Sequence, residues 1–362
     1  MGSAFVAGAE IALDQAIDAA ALALVQARHV LVTGLDADAN VVRSAHRLAR
    51  ACGGVIDHAG SGRIYPFLSA FRDHELILGV PSEVRRRADR VLVVGADAAA
   101  PAPGFLEDLA KAGPDLPAPQ PGPRRLFWLG PASPPCAIPA MIEAEFAACP
   151  PDRLTEALAV LRASLKGQRH GSGPLAEADH ARLLGFVQGG RFGVVVWPAA
   201  ATDAIGNEMA AGLVDDLNTG RRFTAMPLLP DDGAYGAALL STSITGFPLR
   251  VSYAGGAPHH DPYAFDGRRM IADGECDLVV AVSEKADVID GSHIAIGPAF
   301  RDDAAGIVIR AAVPDRPVYY RPQLGSFGQS STAEQPARTA MHQVLRALEQ
   351  AVRQQVSAEG RP

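Results

Sequence analysis

Ala88-Asp89-Arg90-Val91-Leu92-Val93-Val94-Gly95-Ala96-Asp97 has a near copy at Glu275-Cys276-Asp277-Leu278-Val279-Val280-Ala281-Val282-Ser283-Glu284. Each is an unbroken apolar run entered behind an aspartate. A run without polar alternation is a strand buried on both faces, the habit of parallel sheets covered by helices. His29-Val30-Leu31-Val32-Thr33-Gly34, Leu126-Phe127-Trp128-Leu129 and Arg191-Phe192-Gly193-Val194-Val195-Val196-Trp197 have the same character, and Val55-Ile56-Asp57, Phe223 to Pro227 and His293 to Ile296 add shorter strands. Helical spacing fills the intervals. Ala37 to Cys52 sets Val41, Val42, Ala45, Leu48 and Ala49 on one face before Gly53-Gly54 stops it, and Asp203 to Leu217 repeats the pattern. The alternation predicts an α/β chain of two doubly wound, Rossmann-like lobes with mainly parallel sheets.

Read in chain order, the boundaries fall as follows. A first lobe over residues 1–166 begins with a helix over the first 28 or so residues. Gly167 to Gly173 is a polar hinge, residues 174–330 form the second lobe, and 331–362 carry a C-terminal helix. That helix runs from Gln335 to Gln355 with Pro336 in its first turn. Ala340, Val344, Leu345, Leu348 and Val352 form its apolar stripe.

Composition narrows the function. Apolar residues make up 48 % of the 362, enough for large cores, and the formal net charge of −7 is not that of a general nucleic-acid binder. Three lysines stand against thirty arginines, a supply of forked, permanently charged groups. Cys52, Cys136, Cys149 and Cys276 are scattered. They lack the spacing of a zinc site, an iron–sulfur cluster or a disulfide framework, so a cytoplasmic setting fits. No apolar run is long enough to span a membrane, and the acidic N-terminus is no signal peptide.

The usual catalytic signatures are missing. Gly34-Leu35-Asp36-Ala37-Asp38 follows the first strand without a G-x-G-x-x-G pattern, and its two carboxylates would face any phosphate placed there. There is no P-loop and no G-x-S-x-G elbow. His259-His260-Asp261 reads as a polar loop after a strand rather than a metal site, which needs three or four converging ligands. The same reading fits Asp287, Asp290 and His293. Arg85-Arg86-Arg87 reads as a solvated helix face. Arg221-Arg222, at a turn before a strand, is the best anion-pocket candidate among the basic residues.

Several segments carry a resemblance. These are Gly206-Asn207-Glu208-Met209, Leu217-Asn218-Thr219-Gly220-Arg221-Arg222-Phe223, Met226-Pro227, Gly233-Ala234-Tyr235-Gly236 and Thr245-Gly246-Phe247-Pro248-Leu249-Arg250-Val251-Ser252-Tyr253. They resemble the B subunit of formylmethanofuran dehydrogenase, a molybdopterin-type oxidoreductase. Gly256, Pro258 and Pro262 match that family's Arg-Gly-x-Pro-x-x-x-Pro stretch, with Gly255 in place of its Arg. In the first half Val32-Thr33-Gly34-Leu35, Gly53-Gly54-Val55-Ile56-Asp57 and Glu83 to Asp89 also fit.

The departures from that family are informative. Its N-terminal cysteine motif for a 4Fe–4S cluster has no counterpart, because no cysteine precedes Cys52. The position of its metal-binding cysteine falls on Arg63, and a guanidinium cannot replace a thiolate on molybdenum or tungsten. This pattern of losses resembles the B subunits of bacterial formyltransferase/hydrolase complexes, in one-carbon oxidation. There the resemblance implies a non-catalytic subunit, with an amidohydrolase-like subunit, a formyltransferase and a third accessory subunit as partners. A formyl group would pass from tetrahydromethanopterin to a furan coenzyme and leave as formate, and any metal would sit on the amidohydrolase-like subunit. This chain itself would bind no cofactor.

The vestigial cleft, or an anion pocket in its place, would involve Arg63, Asn207, Arg221 and Arg222. Arg63 would either hold an anionic tail of the furan coenzyme or pair with a nearby acid such as Asp57. The competing readings are an active pterin-dependent dehydrogenase subunit and a two-lobed binder of small anions.

Overall fold

The computed structural model describes residues 4–358 except 75, 97, 99–103, 112, 116–122, 231–232, 286–290, 292, 323–324 and 333–336. The chain opens with β1 (Ala4–Val6), β2 (Ala9–Ile11), α1 (Leu13–Gln26), β3 (Val30–Asp36), α2 (Ala39–Ala51), β4 (Val55–Ile56) and α3 (Ser61–Asp73). It continues through α4 (Pro81–Arg87), β5 (Arg90–Val94), α5 (Phe105–Ala110), β6 (Arg124–Gly130), β7 (Ile142–Ala148), α6 (Leu154–Leu165), α7 (Glu177–Gln188), β8 (Phe192–Trp197), α8 (Ala204–Asn218) and β9 (Arg222–Pro227). The last third holds α9 (Ala234–Thr245), β10 (Val251–Ser252), β11 (His259–His260), α10 (Gly267–Ala272), β12 (Leu278–Ser283), β13 (Ile294–Ile296), β14 (Ile307–Ile309), β15 (Val318–Arg321), β16 (Ser326–Gln329) and α11 (Met341–Ala358).

Two compact units result, but not in the expected order. One comprises Met1–Gly62, Asp232–Tyr320 and Phe327–Pro362; the other comprises Arg63–Asp231 and Arg321–Ser326. The boundaries expected near 166 and 174 are therefore replaced by a departure after Gly62 and a return at Asp232. Strand pairing is the cause. The parallel neighbour of β3 is β12, with Val32 opposite Val280, so the first sheet closes only with a strand from the far end of the chain. Gly167 to Gly173, the expected hinge, lies between α6 and α7 within the second unit.

The first unit is built on a nine-stranded sheet, in the order β11-β10-β4-β3-β12-β13-β14-β1-β2. Its centre is parallel, while β10 and β11 at one edge and β1 and β2 at the other run antiparallel to their neighbours. All six residues of β12 are buried. Gly34 has φ 91° and stands so close to β12 that a Cβ there would run into the Val282 carbonyl. α11 packs on α1 and α2 through Met341, Val344, Leu345, Leu348 and Val352, whereas Pro336 lies outside the described residues. The single helix expected at the N-terminus is instead a β1–β2 hairpin followed by α1. Alanine favours helix locally, but β1 pairs with β14, and that long-range partner overrides propensity.

The second unit holds a five-stranded, all-parallel sheet in the order β7-β6-β5-β8-β9. Trp128 on β6 and Trp197 on β8 are fully buried. Gly193 is obligatory for packing, since a methyl group there would overlap the Phe223 ring. The Arg124 guanidinium is buried and donates to the carbonyls of Ala88, Arg85 and Leu109 at the ends of α4 and α5, where the helix dipoles favour a cation.

Candidate functional site

Doubly wound sheets hold ligands at the carboxyl ends of the strands, where strand order reverses. In the first unit the reversal lies between β3 and β12. Among the described residues three carboxylates gather there, and each is engaged by the chain itself. Asp38 caps α2, its Oδ1 accepting the N–H groups of Asn40 (2.7 Å) and Val41 (3.3 Å), while Oδ2 accepts that of Val318 (2.6 Å). Glu284 accepts the Asp38 N–H at 2.7 Å and the Tyr319 hydroxyl. Burial raises the Glu284 carboxyl against the pull of these bonds. Asp36 pairs with Lys285 and lies against the start of α9, 3.3 Å from where a side chain on Gly233 would begin.

In the second unit the reversal lies between β5 and β8. A cavity of 280 Å³ opens there, walled by Val94, Leu158, Trp197 and Ala210, with Asp152 and Asp203 as its ionisable lining. Asp203 caps α8 by accepting the Gly206 N–H at 2.6 Å. Among the described residues, no lysine, arginine or histidine lines the cavity.

The helix N-termini that would bind a phosphate-bearing cofactor are occupied in α2 and α8 by an aspartate of the same chain. Soft-metal ligation is no better served. Burial pushes the Cys52, Cys149 and Cys276 thiols up to about 11, away from the thiolate form. Among the described residues, no group of three or more His, Cys, Asp or Glu side chains could hold a metal ion.

The residues expected in the cleft do not come together. Asn207 is fully buried on α8. Its Oδ1 accepts the Trp197 indole N–H at 2.8 Å, and its amide donates to the carbonyls of Ala199, Thr202 and Asp203. It braces Trp197, Thr202 and Asp203, which line the cavity. Arg221 and Arg222 are exposed at the amino end of β9, at the opposite end of the strands from the cavity, and Arg221 donates to the Gln188 carbonyl at 2.8 Å. Arg63 is exposed on α3.

The cation beside Asp57 is Arg250 rather than Arg63. Arg250 Nε stands 3.7 Å from Asp57 and its Nη2 2.6 Å from Asp266. The same guanidinium reaches Ser61 Oγ and donates to the Pro262 carbonyl. Asp57 Oδ2 also accepts the Ser61 hydroxyl (2.8 Å) and the Gly267 N–H (3.0 Å). Burial pushes the Asp57 carboxyl up to about 7, and Arg250 holds it from rising further. Leu249 and Arg250 carry φ of 61° and 48°, a left-handed pair that this web of bonds keeps in place. Sequence reading missed the cluster because its members come from distant parts of the chain; a single arginine after Pro-Leu gives no local signal.

The histidine loop is structural. The ring of His260 stacks on Phe247 at 5.3 Å, and its Nδ1 is 3.0 Å from the Leu249 carbonyl and 3.1 Å from that of Arg250. Arg86 and Arg87 pair with Asp115 and Glu83 on an exposed helix face. Asp287 and Asp290 lie outside the described residues.

Comparison with known proteins is consistent with this geometry. No family profile matches the chain. The B subunit of the formyltransferase/hydrolase complex Fhc of Methylorubrum extorquens is 31 % identical over 331 residues, covering 87 % of this chain and 86 % of that protein. A chain in the crystal structure of the formyltransferase/hydrolase complex (FhcABCD) of Methylorubrum extorquens, in complex with methylofuran, superposes with a TM-score of 0.86 at 28 % identity. The superposition covers 98 % of this chain and 99 % of that one.

Proposed function

This chain belongs to the family of B subunits of formyltransferase/hydrolase complexes, and from that premise we propose that it is a structural, non-catalytic subunit of such an assembly. Its partners are the other subunits of the complex: an amidohydrolase-like subunit, the formyltransferase and a third accessory chain. The complex moves a formyl group from tetrahydromethanopterin to a furan coenzyme and releases formate, in the cytoplasm. Catalytic groups and any metal belong to the partners.

One observation carries the non-catalytic part of this reading. Both places where a doubly wound lobe offers a ligand site are lined by carboxylates, and Asp38 and Asp203 spend theirs on capping the chain's own helices. No helix among the described residues is long and apolar enough to cross a membrane. Arg63, exposed on α3, is retained as the candidate for the anionic tail of the coenzyme; Arg63→Ala with unchanged coenzyme content in the purified complex would remove it from that role.

Reconstitution tests the reading. The partner subunits with this chain should transfer and hydrolyse formyl groups. The chain alone should show no formyl transfer, and no oxidation of a formylated furan amine with an artificial electron acceptor. Turnover by the chain alone would refute the proposal.

A further inference from the structure

The 280 Å³ cavity at the carboxyl ends of β5 and β8 has two chemically distinct parts. One is carbon. Leu158, Trp197 and Ala210 line it and are each no more than 2 % exposed. The Trp197 indole donates its one N–H to Asn207 Oδ1 at 2.8 Å, so the ring has no donor left for a guest. Asn207 in turn ties down the loop that leads into α8, donating to the carbonyls of Ala199, Thr202 and Asp203. This wall is therefore fixed before any ligand arrives, which lowers the entropy cost of binding.

The other part is oxygen. Asp203 spends Oδ1 on the Gly206 N–H and has no ion-pair partner among the described residues. Asp152, just before α6, likewise has none. Thr155 Oγ1 and Asp203 Oδ1 stand 3.1 and 3.0 Å from the point where a side chain on Gly206 would begin, so the hydroxyl and the carboxylate converge where α6 and α8 meet. The balance of charge is negative. The amino ends of α6 and α8 reach the cavity through Leu154 and Gly206, and each carries roughly half a positive charge. Two full carboxylate charges outweigh them. Arg153, next to Asp152, is turned onto Glu156 by bonds of 2.6, 2.7 and 2.9 Å, so that pair cancels. Arg162, two turns along α6, is held by Asp216 at 2.7 Å. A cleft of one sign with apolar walls focuses its field and concentrates the counter-ion.

We propose that this cavity binds a small primary amine in its ammonium form, with the organic body against Trp197 and Leu158 and the N–H groups on Asp152, Asp203 and Thr155. An ammonium has three donors and no acceptor, which suits three oxygen-bearing side chains. The volume lies just under the ~300–1,000 Å³ of ordinary ligand sites, so the guest is fragment-sized. Its charge is opposite to that of the anion pocket expected from the sequence. The site lies wholly within the second unit and does not depend on the family reading.

The test titrates the full-length chain with benzylamine and with benzyl alcohol, its neutral counterpart of the same shape. Saturation-transfer NMR reports on the ligand, and the indole N–H resonances of Trp128 and Trp197 report on the chain. Benzylamine should saturate with a Kd of about 1 mM or tighter. Benzyl alcohol should bind at least about tenfold more weakly, since it forfeits both carboxylates. The Trp197 resonance should move and that of Trp128, which does not line the cavity, should stay. Asp152→Asn and Asp203→Asn should each weaken the amine about threefold and together about tenfold, leaving the alcohol unchanged. Both aspartates are exposed and asparagine keeps the cap of α8, so the variants should fold as the wild type. Added sodium chloride should weaken the amine alone. Absence of saturable amine binding, equal affinity for amine and alcohol, an unmoved Trp197 resonance, or an unchanged amine affinity in the double variant would each overturn the proposal.

Discussion

Replacing Arg250 by methionine keeps an unbranched apolar stem and removes the guanidinium and its charge. The guanidinium is 6 % exposed and Asp57 is 2 % exposed, measured on their side chains. Stripping one partner from a buried ion pair costs about 3–5 kcal/mol, because the remaining charge stays buried. The cost should depend on pH. Burial already pushes Asp57 from its ordinary 3.8 up to about 7, and Arg250 is the largest of the influences that lower it. Without Arg250 the carboxyl rises further. A folded-state value above the unfolded one means that stability from this group is present at low pH and lost as pH climbs through the folded value. At pH 8 the variant therefore carries the full penalty, while at pH 5 Asp57 is protonated and what remains is the orphaned Pro262 carbonyl, the Ser61 contact and the partly exposed Asp266 pair, about 1–2 kcal/mol. Hydrogen exchange of the amides of residues 261–267 reads this locally. Protection should fall at least about a hundredfold at pH 8 and about tenfold at pH 5, taking ~1.4 kcal/mol per tenfold. A loss below fivefold at pH 8, or the same loss at both pH values, would refute the argument that a buried charge pair holds this loop.

Other expectations follow from the same geometry. Asp203→Ala removes the cap of α8 and should lower stability by about 1 kcal/mol in urea titration, with Asp203→Asn nearly neutral. Gly193→Ala forces a methyl group into the Phe223 ring and should cost about 1–3 kcal/mol by the same titration. Pyrophosphate should leave the melting temperature of the chain unchanged, since aspartates occupy the N-termini of α2 and α8 at the two crevices; a clear rise with ligand concentration would contradict this. In a thiol-labelling time course, exposed Cys136 should react first, with Cys52, Cys149 and Cys276 slow because burial holds them protonated.

The strands that carry the architecture were legible because both their faces are buried. β3, β5, β8 and β12 are uninterrupted apolar runs, and such runs announce themselves without knowledge of their neighbours. The edge elements were not legible. β1, β10 and β11 are two or three residues long and exist because of a partner elsewhere: Ala4 pairs with Ile309, and Val251 with Ile56 and His260. The division of the chain was hidden for the same reason, since nothing near Gly62 or Asp232 records that the β3 sheet waits for β12. At the site, the acidic character of Gly34 to Asp38 was readable, and the structure gives Asp38 the cap of α2. The roles of Asn207 and Arg250 were not readable, because each depends on side-chain partners fixed only by the fold.

The central claim is that this chain works as a metal-free structural subunit of a formyltransferase/hydrolase complex. Affinity purification of the tagged chain from its native cells, with identification of the co-eluting proteins and elemental analysis, tests it most directly. The account predicts stoichiometric amidohydrolase-like and formyltransferase subunits, with no molybdenum, tungsten or iron assignable to this chain. A chain that elutes alone carrying molybdenum or tungsten would contradict it.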